Sequence, residues 1–132
     1  QTKALLMLEK FNLLERKNDK AKKLSGGLMR RLSIAMALIT NPKIIFLDEP
    51  TLGLDVRSRR ELWHILNTIK GHITIILTTH YLDEVEALAD SIAILDNGKL
   101  KIKGTLAELK EMTKLDKLED IFISLTEGAP VL

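Results

Sequence analysis

Two short apolar runs that end abruptly in polar clusters dominate the pattern of this chain. The first, Ile44-Ile45-Phe46-Leu47, stops at Asp48-Glu49-Pro50-Thr51. It is apolar on both faces and rich in branched and aromatic residues, which predicts a buried strand of a parallel sheet over 43–48. Pro50 has no N–H to give to a ladder, so the strand should stop at Glu49. The second run, Ile73-Thr74-Ile75-Ile76-Leu77-Thr78, ends in Thr79-His80. Between the two, residues 57–70 place Leu62, Ile65, Leu66 and Ile69 on one helical face, and Gly71 closes that helix. Its length suits a crossover between parallel strands. Parallel strands would bring His80 to the same sheet edge as Asp48 and Glu49, the edge where open α/β sheets bind their ligands.

The remaining pattern is mostly helical. Residues 3–14 read as a helix, with Leu5, Met7, Leu8 and Phe11 near helical spacing. Leu24-Ser25-Gly26-Gly27 opens another, with Ser25 as N-cap and Leu28, Leu32, Ala35, Met36 and Ile39 as its apolar face; Asn41-Pro42 ends it. Leu52-Gly53-Leu54-Asp55 turns the chain out of the first strand. Tyr81 to Asp90 reads as a short acidic helix and Ser91 to Leu95 as a third strand. Asp96-Asn97-Gly98-Lys99 signals a hairpin into an antiparallel strand at Leu100-Lys101-Ile102. Gly104-Thr105 caps a helix running to Glu111 or so. The tail sets Leu115, Leu118, Ile121, Phe122 and Leu125 at helical spacing and should lose order near Gly128-Ala129-Pro130. There is no internal repeat and no low-complexity segment.

Composition narrows the class. The 132 residues suffice for one modest domain, and 45% apolar with 29% charged residues predicts a soluble globular chain. A net charge of +2 gives no argument for nucleic acid. The absence of cysteine excludes disulfides and thiol chemistry. No apolar run approaches a membrane span, and no signal peptide is visible. Gln1 stands where an initiator Met would, which suggests a piece of something longer.

Three clusters are candidates for chemistry, each with a plainer alternative. Adjacent carboxylates at a strand end suit a magnesium-linked phosphate site, with Asp48 holding metal through water and Glu49 orienting or deprotonating an attacking water. The plainer reading is a solvated turn. Ser25, Gly26 and Gly27 leave bare N–H groups at the positive end of a helix, a ready anion site, or else an ordinary capped helix. His80 beside a carboxylate pair is a better catalytic candidate than a lone histidine. The basic stretch Arg16, Lys17, Lys20, Lys22 and Lys23 reads as a solvated loop, with a nucleotide-attracting rim as the alternative.

Four motifs stand in one order: Leu24-Ser25-Gly26-Gly27, Ile44 to Pro50 with Asp48-Glu49, Gly53-Leu54-Asp55, and Thr79-His80. The set resembles the second half of the ATP-binding cassette ATPase domain of ABC transporters, across nearly the whole chain. The tail from Leu118 to Thr126 resembles exporter-type subunits linked to drug, antibiotic or lipid efflux. The implied fold is α/β: a partial P-loop NTPase (RecA-like) ABC ATPase domain, a parallel sheet with flanking helices plus part of the helical subdomain. Residues 1–40 would end the helical subdomain, 41–104 form the C-terminal part of the core, and 105–132 be a helical extension. The implied activity is ATP binding and hydrolysis with Mg2+, powering export through a transmembrane permease at the cytoplasmic face of a membrane. By the same resemblance Leu24, Ser25, Gly26 and Gly27 form the signature loop, which binds the γ-phosphate of a nucleotide held on a second, head-to-tail nucleotide-binding domain. Asp48 is the carboxylate near magnesium, Glu49 the catalytic carboxylate, Asp55 the loop residue meeting the partner subunit, and His80 the switch histidine at the γ-phosphate. No nucleic acid is expected.

Leu28 stands where the signature usually continues with Gln, and Val56 where the family often has Pro. No Gly-x-x-x-x-Gly-Lys-Ser/Thr segment occurs in the 132 residues. The chain alone is therefore expected to bind ATP weakly and not to turn it over, and to expose unpaired sheet edges. Two other functions remain open. One is a non-transport ABC-type ATPase of translation or DNA repair. The other is a non-catalytic half-cassette that pairs with an intact subunit.

Overall fold

A computed structural model of the chain describes residues 2–126. The order is α1 (Thr2–Lys10), 3-10 turns at Leu14–Arg16 and Ala21–Lys23, α2 (Gly26–Leu38), β1 (Ile44–Asp48), α3 (Val56–Ile69), β2 (Thr74–Thr78), α4 (Leu82–Leu88), β3 (Ile92–Asp96), β4 (Lys99–Gly104), α5 (Leu106–Thr113) and α6 (Leu118–Thr126). The chain divides between His80 and Tyr81 into two compact units.

In the first unit the opening helix stops four residues short of the 3–14 predicted from spacing. Asn12 takes a left-handed φ of 56°. Its N–H donates to the Glu9 carbonyl at 3.0 Å, and the Leu13 N–H donates to Leu8 at 2.7 Å. This is the Schellman arrangement, which satisfies carbonyls that a helix end would otherwise strand. The reversal turns Phe11 and Leu13 inward, and both are buried.

Ser25 caps α2 as predicted, its Oγ accepting the Leu28 N–H at 3.3 Å. The buried face, however, is Arg31, Ile34, Ala35 and Leu38. Met36, expected inside, is 65% exposed. Spacing alone fits either stripe; the contacts of α2 with α1 and α3 select the one that carries Arg31.

β1 and β2 pair in parallel, in register from Ile44 opposite Thr74 to Asp48 opposite Thr78, with α3 as the crossover. The expectation that β1 is buried on both faces is corrected. Ile45 and Leu47 are buried, but Ile44, Phe46 and Ile76 are exposed, Phe46 to 74%. Among the described residues this sheet has two strands, and nothing covers its second face.

In the second unit β3 pairs with β4, antiparallel, and among the described residues that sheet has two strands. Asn97 and Gly98, at φ 49° and 74°, make the two-residue turn that the Asn-Gly pair predicts. Ile92, Ile94, Leu109, Leu118 and Ile121 form the core, with Leu82, Val85 and Ile102 packed against it. Thr105 and Glu108 close a full capping box on α5. The expected loss of order near Gly128-Ala129-Pro130 lies outside the described residues. Among those residues no helix is long and apolar enough to cross a membrane.

Candidate active site

Parallel register decides what meets at the sheet edge. Asp48 ends β1 and Thr78 ends β2 directly opposite it. The Thr78 hydroxyl donates to Asp48 Oδ1 at 2.5 Å. One residue further, the Glu49 N–H continues the ladder to the Thr78 carbonyl at 2.8 Å. Pro50 and Thr51 then fold back through a turn closed by the Leu52 N–H on the Glu49 carbonyl at 3.2 Å. Pro50 sits at the second position of that turn, where its fixed φ is favoured.

Glu49 is set by this geometry into a left-handed backbone conformation, φ 49°. That region is uncommon for a residue with a side chain, and such strain concentrates at functional sites. The turned side chain brings Oε1 to 3.0 Å from His80 Nδ1. An ionised carboxylate can only accept, so Nδ1 carries the hydrogen of that bond. Glu49 Oε2 is buried and has no hydrogen-bond partner among the described residues. A buried carboxylate oxygen without a donor is costly unless water or a ligand meets it. The structure thus brings together Asp48, Glu49 and His80 as the sequence predicted. It adds Thr78, which sequence reading missed; the only signal was its register opposite Asp48.

The glycine turn and the Asp55 turn form a second cluster in the same unit. Gly26 and Gly27 occupy the first turn of α2, where helix geometry leaves their N–H groups without intrahelical acceptors. Asp55 is the N-cap of α3, accepting from the Ser58 N–H at 2.8 Å and the Ser58 hydroxyl at 3.1 Å. Those bonds, the backbone one foremost, hold its pKa below the ordinary carboxylate value. The two helix starts touch. A Cβ on Gly27 would lie 3.0 Å from Ser58 Oγ, and one on Gly26 3.8 Å from Leu54 Cδ2. Leu24 is half-buried just before the cap.

The donors at the sheet edge are hard oxygens. Among the described residues no three His, Cys, Asp or Glu side chains gather into a protein-only metal cage. Hard oxygen donors of this kind fit magnesium, which keeps several waters and shares phosphate oxygens while using one or two carboxylates. Asp48 is exposed and held by the Thr78 hydroxyl.

Comparison with known proteins points to one family. The family profile described as "ABC transporter" matches residues 1–52. The chain is 43% identical over 114 residues to the daunorubicin resistance ATP-binding protein DrrA3 of Streptomyces coeruleorubidus, covering 86% of this chain and 36% of that protein. It is 44% identical over 104 residues to the retinal-specific phospholipid-transporting ATPase ABCA4 of Homo sapiens, covering 79% of this chain and 5% of that protein. Among solved structures, an ATP-binding cassette of an ABC transporter matches with a TM-score of 0.78 at 31% identity, over 92% of this chain and 49% of that one. The ATP-binding subunit of another ABC transporter gives 0.77 at 31% identity, over 94% and 53%. The chain spans about half the length of these solved cassettes and a smaller share of the curated relatives. On likeness that runs through both of its units, the chain belongs to the family of ABC transporter ATP-binding domains and corresponds to part of one.

Proposed function

We propose that this chain carries part of the ATPase of an ABC exporter of the drug- or lipid-efflux kind, coupled to a permease at the cytoplasmic face of a membrane. The observation that carries the reading is Glu49: turned by its backbone toward His80, bonded to it through Oε1, and left with a buried, unpartnered Oε2. Oε2 is the atom to accept a proton from an attacking water, and His80 orients the carboxylate that does so. His80 lies where a donor can meet growing charge on a γ-phosphate. Asp48 would hold magnesium through water, and the ion's charge would offset that of the phosphates. Leu24, Ser25, Gly26 and Gly27 offer their helix start to a nucleotide bound on a second, head-to-tail nucleotide-binding domain, and Asp55 faces that partner. In this reading 1–40 belongs to the helical subdomain, 41–104 to the ATPase core, and 105–132 to a helical extension. The names of the relatives, drug resistance and phospholipid transport, favour export over translation or DNA repair.

Phosphate release by the polypeptide as the cell makes it tests this. Glu49→Gln should lower turnover by about 10²–10⁴-fold while ATP binding persists; unchanged turnover would overturn the assignment. A second reading has its own support, the missing phosphate-loop motif within these residues. It holds that the 132-residue chain alone hydrolyses no ATP and lends its glycine turn to an intact subunit. Robust Glu49-dependent phosphate release by the isolated chain would exclude it.

A further inference from the structure

Nothing in the proposed chemistry uses the buried cation of α2. Arg31 is 6% exposed. Its guanidinium pairs across to Glu61 of α3, and Glu61 accepts from Arg57 Nε at 3.2 Å with its other oxygen. Arg31 lies six residues after the cap Ser25, and Glu61 six residues after the cap Asp55. The ion pair therefore joins the two helices at the same depth behind their N-termini. Nearer the caps, Gly27 and Ser58 already touch, with a Cβ on Gly27 placed 3.0 Å from Ser58 Oγ and 3.1 Å from Ser58 Cβ. A single contact would let the helices pivot. Two contacts spaced along them fix separation and rotation together.

Ser58 links the turns a second way, because its N–H and hydroxyl are the two donors that hold Asp55. An apolar pair could fill the same space as Arg31 and Glu61, often at no loss of stability. An ion pair adds direction: the guanidinium fork accepts few geometries.

We propose that Arg31 and Glu61 are positioning residues. With the Gly27–Ser58 contact they make the Ser25–Gly27 turn and the Asp55 turn one rigid piece, so that displacing either displaces the other. The consequence for turnover rests on the function proposed above; the mechanical coupling does not.

The test removes the pair without leaving a lone buried charge. In Arg31→Met/Glu61→Gln the melting temperature should stay within about 4 °C of the parent. Amide hydrogen exchange of the nucleotide-free protein should rise about tenfold at residues 26–30 and at 56–59 together, with α5 unchanged. The ATP concentration for half-maximal turnover should rise about tenfold. Exchange unchanged at 26–30, or raised only in α3, would overturn the proposal. A variant that needs no charge change gives an independent arm. Gly27→Ala should loosen residues 56–59. Unaltered exchange at 56–59 in Gly27→Ala would also overturn it. If the parent protein turned over no ATP, the function proposal would fall, and the exchange data would still decide this one.

Discussion

Glu49 shows how much one residue owes to its surroundings. Its left-handed backbone is imposed by the strand ladder on one side and the Pro50 turn on the other. Glu49→Gly should relieve that strain at some entropic cost, leaving stability within ~1 kcal/mol of the parent by chemical denaturation. The same change should abolish turnover, which would separate strain from chemistry. Thr78→Val keeps the shape of the side chain and removes the donor to Asp48. Turnover should fall about tenfold with the circular dichroism spectrum unchanged. Asp55 gives a pH signature. Its pKa is depressed in the folded chain, chiefly by the Ser58 N–H. The cap's contribution is therefore complete above the ordinary carboxylate value and is lost as pH falls through the lower, folded one. Asp55→Asn retains a capping oxygen without the charge, so its melting temperature should lack that acid-range decline.

At the scale of elements, two caps and the buried face of α3 (Leu62, Ile65, Leu66 and Ile69) were legible, and the face of α2 was not. Ser25 and Thr105, read as caps, each start a helix and accept from its first turn, and so does Asp55, which the sequence showed only as a turn residue. Capping is local chemistry that needs no tertiary partner. Thr105→Ala removes the hydroxyl that accepts the Glu108 N–H, leaving the bond from its own N–H to Glu108, and should cost ~1 kcal/mol in equilibrium unfolding. The face of α2 was rotated rather than wholly misplaced: Ala35 is buried as expected and Leu28, Leu32 and Ile39 are half-buried, but Met36 is exposed and Arg31, Ile34 and Leu38 take the buried positions. Arg31 counted against the true face, since its partner Glu61 lies on another helix. The length of α1 was overestimated because Phe11 and Leu13 are buried beyond the helix rather than on it. Apolar spacing does not report a left-handed Asn12.

For the molecule as a whole, each unit packs one side of its strands and leaves apolar residues of the other exposed, Leu95 and Leu100 in the hairpin among them. The hairpin β3–β4 has its apolar side filled by Leu109, Leu118 and Ile121. The β1–β2 pair presents Ile44, Phe46 and Ile76 to solvent. A bare apolar sheet face with open edges favours association. The 132-residue chain alone should sediment as a concentration-dependent mixture, and Phe46→Lys should shift it toward monomer without lowering its helix content. A monomeric parent with a concentration-independent melt would contradict this.

The sequence by itself determined the alternation of elements, two helix caps, the Asn97-Gly98 turn and the meeting of Asp48, Glu49 and His80. Each follows from local chemistry, or from one rule: a crossover helix makes its flanking strands parallel, so their ends share an edge. Tertiary structure alone decided the left-handed turn of Glu49 toward His80, the Thr78–Asp48 bond, the Arg31–Glu61 pair and the exposure of Phe46. All four depend on which residues from distant parts of the chain become neighbours. Spacing along one element does not contain that information.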